Sequence, residues 1–60
     1  MEERQSIRDI AIRFYNDMLG YSQAVNMIDN ISRNTKNASV VKLAIETKLE
    51  LERFAWIMPV

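Results

Sequence analysis

The 60-residue chain has no cysteine and no histidine, and it has one glycine and one proline. Without cysteine there can be no disulfide framework, thiolate metal site or thiol nucleophile. Without histidine the usual general base and the commonest metal ligand are missing. A single glycine cannot build a phosphate-cradling loop. One glycine with one proline also excludes collagen-like, linker-like and turn-rich all-β chains. An excess of charge of one sign is lacking too: eight basic and eight acidic side chains cancel. No global field therefore draws the chain to nucleic acid or to an anionic membrane. The apolar run from Phe54 to Val60 is far short of the ~20 residues that span a bilayer. Met1–Gln5 is polar and no apolar stretch follows it, so the chain is expected to be cytoplasmic and free of membranes. Asn30-Ile31-Ser32 and Asn37-Ala38-Ser39 match the glycosylation pattern and are read as chance matches in that setting.

What the chain does have is apolar content: hydrophobic residues make up 48% against 27% charged, too apolar for a disordered segment. A chain this short buries only about 60% of its unfolded surface and rarely nets more than ~3–5 kcal/mol from one core. With disulfides and thiolate metals excluded, oligomerisation is the reinforcement left. The fold class expected is all-α, one domain over residues 1–60, a small bundle of two to three helices at about 6–19, 22–33 and 39–58, completed by homodimerisation.

The helices are read from period and caps. Ile7, Ile10, Ala11, Phe14 and Met18 recur at three- and four-residue steps, the stripe of an amphipathic helix. Ser6 with Asp9 three residues on has the form of a capping box. Gly20 is expected to end the first helix in the left-handed conformation, with Ser22 capping the second. The alternative is one helix through to Arg33, supported by the seven-residue spacing of Ile7, Phe14, Tyr21 and Ile28 and opposed by Asp17 in its companion seam. Residues 32–39 read as a loop, with Asn37 or Ser39 capping the last helix. Pro59 would stop that helix. Its apolar residues make two sides: Val40, Ala44, Leu51, Phe54 and Ala55 on one, Val41, Ile45, Leu49 and Trp56 on the other. A helix with two apolar sides must be covered twice, once by its own protomer and once by a second copy or another protein. Leu51 and Phe54 are assigned to the protomer core, Ile45 and Trp56 to the intermolecular side.

Catalytic chemistry finds little to work with. The serines have no histidine to activate them, and Glu46 and Glu50 fall on a solvated strip rather than in a cleft. No enzyme, cofactor, metal or small-molecule substrate is expected. The function that remains is a non-enzymatic protein–protein interaction module: a small helical regulator binding a larger protein such as a repressor, polymerase subunit or recombinase. The size also suits a viral origin. The interface with a second copy or a partner is expected at Ile12, Tyr15, Leu19, Ile45, Lys48, Leu49, Glu52 and Trp56. Lys48 and Glu52, four apart, are read as a pair at the edge of the apolar arc. Arg33, Asn34, Lys36, Asn37 and Lys42 make a basic, amide-rich window able to contact an anion or nucleic acid. The alternative function is a small helix-turn-helix-like DNA-binding regulator. Gly20, Ser22 and Gln23 resemble the turn of that unit, but Asn26 stands where it places a buried aliphatic residue, and the second helix carries few cations.

Overall fold

The computed structural model describes residues 2–57. Three helices follow one another: α1 Glu3–Tyr15, α2 Tyr21–Asn34 and α3 Ala38–Ile57. Each packs on the other two, and the result is an elongated bundle of 38 × 18 × 14 Å. The core is the expected stripe of each helix turned inward: Ile7, Ile10 and Phe14 from α1, Ala24 and Ile28 from α2, and Val40, Ala44 and Leu51 from α3. Ala24 and Ala44 are fully buried; with only a methyl group each, they let the helix backbones approach closely. Thr47 completes the inward face of α3 as its one buried polar residue. Leu51 is in the core and Phe54 packs against it, as assigned from sequence, whereas Ala55 is exposed.

Both boundaries of α1 differ from expectation for identifiable reasons. α1 begins at Glu3, not Ser6, and Glu2 rather than Ser6 is the N-cap. The Ser6 N–H and hydroxyl both donate to the Glu2 carbonyl, at 3.0 and 3.3 Å, so Ser6 serves one turn inside the helix. At its other end α1 stops at Tyr15, not residue 19. The residue that turns the chain is Asp17, with φ of 60°. The Met18 N–H donates to the Arg13 carbonyl at 2.8 Å and the Asp17 N–H to the Phe14 carbonyl at 3.1 Å. This crossed pair of bonds is a Schellman motif with aspartate in the position usually held by glycine. Met18, expected on the buried stripe, lies beyond the helix end and is 71% exposed.

Gly20 is therefore not the left-handed terminator. Its φ of −73° and ψ of 162° are extended, and it is the N-cap of α2. Its N–H donates to the Gln23 side-chain oxygen at 3.2 Å. That is one half of a capping box; glycine has no side chain to supply the other half. Ser22 lies within α2 and does not cap it. The continuous helix through residue 20 does not form.

α2 runs one residue further than expected, to Asn34, and the loop is only residues 35–37. Asn37 caps α3: its side-chain oxygen accepts the Ser39 N–H at 2.9 Å and the Ser39 hydroxyl at 2.7 Å. The Thr35 hydroxyl accepts the Asn37 N–H at 3.1 Å and donates to the Glu3 carboxylate at 2.8 Å. That second bond ties the short loop to the start of α1. The expected ends of the last helix at Met58 and Pro59 lie outside the described residues.

Candidate functional site

Eight large apolar side chains are exposed among the described residues: Ile12, Tyr15, Met18, Tyr21, Met27, Ile45, Leu49 and Trp56. Helix geometry separates the most prominent of them into two surfaces. At 100° per residue, Leu49 stands about 180° round α3 from the core stripe centred on Val40, with Ile45 and Trp56 within about 40° of it. These three are 51%, 52% and 81% exposed in the order Ile45, Leu49, Trp56. Leu49, Glu52, Arg53 and Trp56 line a shallow hollow there.

The second surface is the groove between α1 and α3. Its walls are Arg8, Ala11 and Ile12 from α1 and Leu43, Glu46, Thr47 and Glu50 from α3. Ile12 is 54% exposed. The groove has an apolar floor, one guanidinium at its edge and two carboxylates along the far wall. Tyr15 stands at one end of it, its ring 4.8 Å from Phe54, edge to face. Phe14 joins the same cluster, 5.7 Å from Phe54 and 6.1 Å from Tyr21. Partial burial and, secondarily, the Glu50 carboxylate push the Tyr15 phenol above its ordinary value, since both disfavour the phenolate.

The remaining candidates divide. Leu19 is half-buried and packs against the core, because the chain leaves α1 early and folds this residue back. It is not a free surface residue. Lys48 is engaged by Asp29 of α2 rather than by Glu52. At about 80° from the core centre, Lys48 leans towards α2, where Asp29 follows the buried Ile28, while Glu52 is exposed further round. Arg33, Asn34, Lys36, Asn37 and Lys42 are all exposed near the α2–α3 connection. Two of these are already committed: Asn34 donates to the Asn30 carbonyl at 2.9 Å and Asn37 caps α3. The Asp29–Lys48 pair had no signal in the local sequence, because it joins residues on two different helices.

No protein-family model matches the chain, and no curated protein or solved structure does either.

Proposed function

We propose that the protein is a non-enzymatic interaction module, a small helical regulator that binds a larger protein through the α1–α3 groove around Ile12. The observation supporting this reading is apolar surface left outside a core that is already filled. Exposed apolar area rimmed by polar groups is the usual material of a protein–protein contact. The chemistry of the rim suggests the occupant. An amphipathic helix with an aliphatic anchor on Ile12, Ala11 and Leu43 and a basic residue opposite Glu46 and Glu50 would complement it in shape and charge.

The test is capture from the native host followed by binding of the purified pair, comparing wild type with Ile12→Asp and with Glu46→Lys. Ile12 and Glu46 are exposed, so both variants should keep their helical circular dichroism. A saturable partner whose affinity falls at least ~10-fold with either change supports the reading. Partner binding indifferent to both, or none at all, refutes it. The alternative reading, DNA binding, has its own signature: affinity for duplex that drops steeply with salt. Arg33 is the one cation α2 carries, which favours the protein partner.

A further inference from the structure

The outer face of α3 carries a pattern that the groove does not use. Ala38, Lys42, Ile45, Leu49, Glu52 and Trp56 follow one another at steps of four and three, the spacing of a coiled-coil seam. All six are exposed. Taken from its two ends inward, the seam complements itself. Ala38 matches Trp56, the smallest residue against the largest. Lys42 matches Glu52, cation against anion. Ile45 matches Leu49. All three matches share one midpoint, at residue 47.

We infer that this face pairs with the same face of a second copy, antiparallel, about a two-fold axis passing beside the midpoint of α3. In that arrangement Ile45 packs on the second copy's Leu49. Lys42 meets the second copy's Glu52, and Trp56 closes over the second copy's Ala38. Each contact occurs twice, as an isologous interface requires. The edges agree on one side, where Val41 comes beside the second copy's Ala55. Lys48 approaches the axis on that same side, but its charge is already met by Asp29 of its own α2. On the opposite side Glu46 nears its own equivalent, a like-charge contact at the exposed edge of the interface, where solvent and salt screen it.

A parallel pair fails by the same accounting. It would set Lys42 against Lys42, Glu52 against Glu52 and Trp56 against Trp56, and leave the helix dipoles aligned. A different protein on this face would have no cause to find the seam self-complementary. The seam is centred on Leu49, about 100–120° round α3 from the groove residues Leu43 and Glu50. Glu46 borders both surfaces, so Ile12→Asp, on α1, is the variant that separates the two proposals.

The experiment is sedimentation over about 1 μM to 1 mM, on wild type, Lys42→Glu, Glu52→Lys and the chain carrying both changes. Wild type should approach twice its 7.0 kDa chain mass as concentration rises. Each single change should raise the dissociation constant at least ~10-fold, and the double change should return it to within ~3-fold of wild type, since opposite charges face each other again. All the positions are exposed, and circular dichroism confirms the fold of each variant. Orientation is read by oxidation: an equimolar mixture of Ile45→Cys and Leu49→Cys chains should cross-link between the two variants in preference to either alone, in a background with no native cysteine. A monomer throughout the series overturns the proposal. So does a dimer indifferent to Lys42→Glu, a double change that fails to restore pairing, or preferential cross-linking of Ile45→Cys chains to one another. Loss of the Ile12-dependent partner with dimerisation intact would overturn the functional reading alone.

Discussion

Asp17 is the residue whose replacement should most clearly improve this protein. It holds φ of 60°, a conformation that costs an ordinary L-residue about 1–2 kcal/mol, and aspartate somewhat less. It also places a negative charge at the negative end of the α1 dipole, which costs roughly 0.3–1 kcal/mol at an exposed site. Asp17→Gly removes both penalties and adds about 0.4–1 kcal/mol of extra freedom in the unfolded chain. The net expectation is a gain of about 0.5–1 kcal/mol. In a domain of this size about 1 kcal/mol moves Tm by roughly 4–8 °C. Asp17→Asn should recover only the dipole part and lose that gain in high salt. Asp17→Val should destabilise, since a branched side chain tolerates positive φ badly. Thermal and urea denaturation followed by circular dichroism would rank the series Gly, Asn, Asp, Val. A drop in stability for Asp17→Gly, by the ~1 kcal/mol that glycine costs inside a helix, would refute the Schellman turn and restore one helix through this segment.

Gly20, at negative φ, has room for a side chain: a Cβ there would meet only the Gln23 side-chain oxygen, at 3.7 Å. Gly20→Ala should then change stability by no more than about 0.5 kcal/mol, and Gly20→Ser, which completes the capping box, should raise it by a few tenths of a kcal/mol in urea denaturation. Leu51 is fully buried, so Leu51→Ala should cost about 2–5 kcal/mol and leave the chain largely unfolded by circular dichroism at room temperature. The raised Tyr15 phenol has a linkage consequence. The fold favours its neutral form, so this contribution is complete below the unfolded value near 10 and is lost as pH rises through the higher folded value. Ultraviolet titration of a Tyr21→Phe background should show Tyr15 ionising above 10, and Glu50→Gln should lower that midpoint. An unchanged midpoint would remove Glu50 as a cause.

Periodicity carried the inward stripes because burial repeats with the helix. Ile7, Ile10, Phe14, Val40, Ala44 and Leu51 could all be read off in that way. Helix ends were harder, since two neighbouring residues can each supply a stop. Asn16-Asp17 and Gly20 are both turn formers, and the chain uses the aspartate for the left-handed turn and the glycine as an N-cap. Thr47 is buried, but a threonine interrupts the apolar stripe and so carries no periodic signal for burial. The surfaces divided likewise. The exposure of Ile12, Ile45, Leu49 and Trp56 follows from their helix phase. The retreat of Leu19 and the capture of Lys48 by Asp29 depend on how the helices are arranged in three dimensions, which no local pattern encodes.

The two connections, residues 16–20 and 35–37, are short, and the helices they join are built from local hydrogen bonds. Topologies of this kind cross their folding barrier in microseconds to milliseconds. With a thin stability margin, fast folding implies fast unfolding as well. Each molecule would then open and reclose many times during its working life, and a protease sampling the open form would degrade it in proportion to that exposure. A partner or second copy that binds only the folded form would hold it closed by mass action. A regulator built this way would be cleared when unbound and spared when bound, so its abundance would follow the supply of its partner with no dedicated degradation signal.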